Sequence, residues 1–146
     1  MKFKHIILGC LLMAGWAQAT EPTSTHQVLS QINQFQMVSK RLASAASPEL
    51  QHFQSLKDAG FEHIIILSTG LHLVEKTHAE ALGMTFEQIK VPLTEPSDAH
   101  FSEFKKLMGA NSKGLVFVYS EQNWRASTYA YRFNSIQEDA GLLAKN

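Results

Sequence analysis

The segment Tyr119-Ser120-Glu121-Gln122-Asn123-Trp124-Arg125-Ala126-Ser127 is the one stretch whose residue types and spacing suggest chemistry. It follows the apolar run Leu115 to Tyr119 and leads into Arg125 to Phe133, which contains neither Gly nor Pro. A loop of this length between a buried strand and a helix can turn several backbone N–H groups towards one point. The positive end of the helix dipole then reinforces that nest. Arg125 at the mouth of the helix adds a planar fork whose geometry matches phosphate or sulfate. The chemistry is therefore oxyanion binding, with Ser120, Glu121, Gln122, Asn123, Trp124, Arg125, Ala126 and Ser127 as candidates. Glu121 is the discordant member, because a carboxylate facing inward would repel an anionic ligand.

The elements that must position this loop follow from apolar periodicity. His63-Ile64-Ile65-Ile66-Leu67 has no alternation and reads as a central strand buried on both faces, and Leu115 to Tyr119 is a second such strand. Thr85 to Val91 alternates enough for a third, closed by Pro92, and Met37 to Ser44 is a brief extended piece. Helical spacing predicts helices over His26 to Phe35, from Ser47 (N-cap) and Pro48 (first turn) to Gly60, and over Val74 to Leu82. It predicts others from a Ser97 or Asp98 cap to Met108, over Arg125 to Phe133, and a short one over Ile136 to Leu143. Helices alternating with strands imply an α/β fold of three layers, a mostly parallel central sheet with helices on both faces. In such folds ligands lie at the carboxyl ends of the strands, where the Ser120–Ser127 loop falls.

Composition bounds the function. The chain has 146 residues, 45% hydrophobic, with 13 basic and 13 acidic side chains, which suits one compact domain and offers no basic field for nucleic acid. Lys2 and Lys4 precede the apolar run Ile6 to Ala14, and Ala17-Gln18-Ala19 supplies small residues at the positions a signal peptidase reads. Residues 1–19 read as a secretory signal peptide cut after Ala19, which places the protein in the periplasm or outside the cell. A membrane anchor is the alternative, but the run is shorter than the roughly 20 residues a span needs; lipidation at Cys10 is another. Cleavage removes the only cysteine, so no disulfide or membrane span remains and stability rests on the core. Residues 20–36 form a leader and short helix, and 37–146 the domain proper.

The loop resembles the phosphate-binding loop of the cysteine-dependent tyrosine and dual-specificity phosphatases, in particular a small bacterial branch reading His-Cys-x-x-Asn-x-Arg-x-Ser. The matching positions are Tyr119, Ser120, Asn123, Arg125 and Ser127, with Tyr131-Arg132 continuing the likeness. Upstream, Ser39-Lys40-Arg41-Leu42-Ala43-Ser44, Ala59-Gly60-Phe61, Leu82-Gly83-Met84 and Val91-Pro92-Leu93 also resemble that branch, so the similarity spans about residues 37 to 133. It implies a dual-specificity-phosphatase-like fold and, for active members, a thiolate that attacks phosphorus. Here that position is Ser120, or Tyr119 if the five-residue spacing to Arg125 is used, and neither is cysteine.

A serine hydroxyl needs a neighbouring base to become a useful nucleophile, and none of His52, His63, His72, His78 or His100 falls in the loop. The resemblance also implies an acid that protonates the leaving group, for which Glu95 and Asp98 are candidates; helix capping by Asp98 and solvation of Glu95 are the preferred readings. His72, Glu75 and His78 drift around a helix, match no metal spacing and read as a solvated face. Among the aromatics, Trp124 alone sits in the loop and is a candidate for ligand contact. The expectation is a catalytically silent phosphatase-like protein that binds phosphate, another small anion or a phosphorylated partner, without cofactor or metal. A phosphohydrolase using Ser120 or another nucleophile, and an interaction protein with no ligand, are the alternatives.

Overall fold

The computed structural model describes residues 25–145; the signal peptide expected at residues 1–19 lies outside them. The elements run α1 (Thr25–Leu29), β1 (Gln36–Met37), β2 (Leu42–Ala46), α2 (Leu50–Asp58), β3 (Phe61–Leu67), α3 (Leu73–Ala81), β4 (Thr85–Ile89), α4 (Asp98–Ala110), β5 (Leu115–Ser120) and α5 (Trp124–Leu143). They build one five-stranded sheet ordered β1-β2-β5-β3-β4. Only β1 is antiparallel; β2, β5, β3 and β4 run parallel, so their carboxyl ends share one edge. Among the described residues no helix is long and apolar enough to cross a membrane.

The uninterrupted aliphatic runs are what a doubly covered sheet demands. Ile64 and Ile66 of β3, with Phe117 and Tyr119 of β5, enter a core with Phe53 and Leu56 of α2 and Ala79 of α3. Ile65, Leu67, Val116 and Val118 point the other way, into a core with Phe101, Phe104 and Met108 of α4 and Ala126, Tyr129 and Ala130 of α5. Because successive side chains on a strand face opposite sides, every residue of such a run is buried, at about 1.5–3 kcal/mol for each large aliphatic. The result is the three-layer α/β fold, with α1–α3 on one face and α4–α5 on the other.

Several local expectations are corrected. The extended piece at residues 37–44 is a hairpin, in which the Val38 and Ser39 N–H groups both donate to the Leu42 carbonyl (2.8 and 3.1 Å) and turn the chain between β1 and β2. α1 is one short helix, and the chain reverses at Gln34 with a positive φ of 56°. Glu49, not Ser47, is the N-cap of α2, its N–H donating to His52 Nδ1 at 3.1 Å. The two helices expected after the loop are one 20-residue helix, because nothing between Phe133 and Ile136 breaks it and Asn134 bonds Glu138 one turn on (2.9 Å).

Candidate anion-binding site

The strand period assigns the last two residues of β5 to different environments. Tyr119 is buried against Phe86 and Phe117, and its hydroxyl has no hydrogen-bond partner. Burial, with Glu75 and Glu121 adding to it, pushes the phenol far above its ordinary range, so it stays neutral. Ser120 faces α5, and its Oγ accepts the Ala126 N–H at 3.3 Å. Of these two residues, Ser120 alone contacts the start of α5. Only Glu121 to Asn123 separate β5 from α5. Asn123 makes that reversal in the left-handed region (φ 63°), which asparagine tolerates better than most residues, and its side chain donates to the Gln34 carbonyl at 3.3 Å.

Arg125 is nearly buried. Its Nη1 donates to the Val91 carbonyl at 2.7 Å, and its Nη2 donates to the carboxylate of Glu121, from the same loop. The other Glu121 oxygen accepts from the Ser68 hydroxyl. Ser68 Oγ in turn accepts the Gly70 N–H (3.1 Å) and lies 3.0 Å from His72 Nε2, while His72 Nδ1 faces Glu75 at 3.1 Å. Burial disfavours the charged form of Glu121, but the Ser68 hydroxyl, its own backbone N–H, Arg125 and His72 outweigh it and hold the carboxyl below its ordinary range. An internal carboxylate thus takes one prong of the guanidinium and the Val91 carbonyl another, while Nε is buried without a partner. Glu121 is the anion that Arg125 contacts in this structure.

Ser120, Glu121, Gln122, Trp124 and Arg125, with Thr69 and Leu93, line an open cavity of about 540 Å³. Trp124 is 70% exposed and Leu93 73%, so the mouth is apolar and its floor charged but neutralised. Asn123, Ala126 and Ser127 do not line it: Ser127 Oγ donates back to the Asn123 carbonyl at 2.7 Å. Neither Asp98 nor Glu95 lines it. Asp98 pairs with Arg132 at 3.0 Å, the α4 cap is Ser97, whose Oγ accepts the His100 N–H at 3.4 Å, and Glu95 is exposed. The His72 side of α3 is not a solvated face, since His72 turns inward to Ser68 and His78 packs edge-on to Phe53 at 6.0 Å. Among the described residues no group of three potential ligands could hold a metal ion.

Ser68, His72 and Glu75 are the site residues that sequence reasoning misses. The available signal was topological: Ser68 directly follows β3, which neighbours β5, so it emerges at the same sheet edge as the loop. With Oγ held by three neighbours and the residue 1% exposed, Ser68 acts here as a hydrogen-bond hub, not as an open nucleophile.

No protein-family model and no curated protein sequence matches the chain. Solved structures do. A candidate phosphatase of the DUF442 group from Shewanella putrefaciens CN-32 is 27% identical, with a TM-score of 0.70 over 76% of this chain and 78% of that one. The core catalytic domain of an S. cerevisiae PP-IP phosphatase, in complex with citrate, matches with a TM-score of 0.63 at 10% identity, covering 71% of this chain and 66% of that one. TpbA of P. aeruginosa, a cysteine-to-serine variant in complex with phosphotyrosine, matches with a TM-score of 0.57 at 19% identity over 81% and 67%. The chain has the phosphatase-like fold of the cysteine-dependent tyrosine-phosphatase superfamily.

Proposed function

We propose that this phosphatase-fold protein is a periplasmic or secreted binding module that performs no phosphoryl transfer. In this reading Ser120 stands where the superfamily has its cysteine, and the loop admits the anionic group of a ligand or partner only by displacing Glu121. The observation that carries it is the Glu121 carboxylate in the fork of Arg125. The same contact supports both halves of the reading: the fork can hold an oxyanion, and the occupant carries a like charge to any phosphate approaching Ser120. The contact made by Ser120 Oγ is with a backbone N–H, which is a donor and not a base that could activate the hydroxyl. The apolar mouth of Leu93 and Trp124 favours an anion borne on an organic group.

Calorimetric titration with phosphate and vanadate tests the binding half. Arg125→Ala abolishes binding by the loop without unfolding the protein, and unchanged affinity in that variant rejects the anion site. Aryl-phosphate turnover tests the other half. The unaltered protein is silent, and Ser120→Cys supplies a thiol in the same loop and yields weak hydrolysis. Turnover by the unaltered protein rejects the silent reading.

A further inference from the structure

A second cavity, of about 580 Å³, opens at the opposite edge of the sheet, where the strands begin. Three cations from two separate segments line it: Lys40 and Arg41 from the β1–β2 turn, and Lys105 from α4. No acidic residue lines it, and none of the three joins an ion pair among the described residues. Arg41 is the most constrained of them. Its Nη2 makes one long contact to the Asn111 carbonyl (3.4 Å), and its Nε is buried without a partner. A buried guanidinium donor left unpaired costs free energy, a condition that Arg125 Nε shares at the other edge. The Lys105 ammonium lies over the Phe101 ring, 5.5 Å from its centroid, and Arg132 lies over the same ring at 4.1 Å. Asn134 and Gln137 of α5 and the hydroxyl of Ser112 add neutral polar groups on the remaining sides.

We propose that this cavity is an anion site distinct from the Arg125 loop, taking a small soluble ligand that carries a dianionic phosphate or phosphate ester. Two lysines and an arginine lining one concave surface without a carboxylate suit a multiply charged oxyanion better than a monoanion. The cavity volume suits a metabolite-sized ligand. Met108 and Phe133 give it an apolar wall against which the organic part of an ester can rest. The site does not depend on the reading of the loop, because the two share no lining residue.

Amide NMR of the whole protein, titrated with inorganic pyrophosphate at low ionic strength, resolves the two sites by position. The expected result is saturable shifts at Arg41, Lys105 and Gln137. The double variant Lys40→Glu/Lys105→Glu weakens them at least about tenfold, while Arg125→Ala leaves their midpoint within about twofold. Both lysines are exposed, so the double variant folds, which circular dichroism verifies. Shifts confined to residues 121–125, shifts indifferent to the charge reversal, or no shifts at millimolar pyrophosphate overturn the proposal. An arm with phosphatidic acid vesicles separates a membrane headgroup from a free ester. Capture by vesicles through the two lysines, without binding of soluble pyrophosphate, also overturns it. Loss of the 121–125 shifts alone in Arg125→Ala bears on the loop and leaves this site standing.

Discussion

At the carboxyl edge of the sheet Arg125 is matched by a carboxylate four residues earlier in the chain, whereas at the amino edge Arg41, Lys40 and Lys105 line a cavity with no carboxylate in its lining. Both places look cationic when residues are counted, but they differ in what the charge does. Arg125 ties the loop to Val91 and Glu121, so an incoming anion must compete with a carboxylate already in place, although its Nε, like that of Arg41, is buried without a partner. The amino-edge cations are left for something outside the fold. An arginine in a phosphatase-like loop is thus weak evidence for a vacant anion site until its own neighbours have been examined.

Four experiments break or sharpen that contrast. The largest effect is expected for Arg125→Ala, which strips Glu121 and the Val91 carbonyl of a charged donor; urea unfolding should show a loss of about 2 kcal/mol. Equal stability of that variant and the parent removes the structural role assigned to Arg125. Next, Glu121→Gln keeps the side chain's size but empties the fork of negative charge, and calorimetry should show phosphate binding at the loop strengthened by about tenfold. A weaker or unchanged affinity means that Glu121 is not the competitor.

Acid titration has a smaller effect. The Glu121 carboxyl is held below its ordinary value in the fold, so its contribution is fully present above the ordinary carboxylate range and is lost as pH falls through the lowered folded value. The stability lost as pH falls below about 4 should therefore be less in Glu121→Gln than in the parent. Identical pH profiles for the two proteins exclude the coupling. The smallest effect is at the other edge, where Lys105→Ala should change unfolding free energy by no more than about 0.5 kcal/mol. A loss as large as that of Arg125→Ala shows Lys105 to be structural too, and the contrast collapses.

Much of the architecture was legible because it rests on local pattern. Ile64 to Leu67 and Leu115 to Tyr119 had to be buried on both faces, and helices alternating with such strands leave few options beyond a mostly parallel, doubly covered sheet. The position of the loop followed from that topology, and the exposure of Trp124 at its mouth followed from its place in the loop. Boundaries were less legible. Whether residues 38–41 turn depends on which strand Leu42 joins, and whether α5 continues past Phe133 depends on the absence of a breaker that no single residue announces.

The sequence by itself determined which groups the loop carries: an arginine, a carboxylate, a serine and no cysteine. It could also say that Glu121 would oppose an anion if it pointed inward. Only the tertiary structure decided that it does, because the partners that hold it there, Ser68 and the His72–Glu75 pair, lie some 50 residues upstream and reach it through strand order. The same holds at the other edge. Lys40, Arg41 and Lys105 are scattered among unremarkable residues until the β1–β2 turn is laid beside α4. Charge is a property of the residue, but whether it is satisfied is a property of what the fold brings within hydrogen-bond reach.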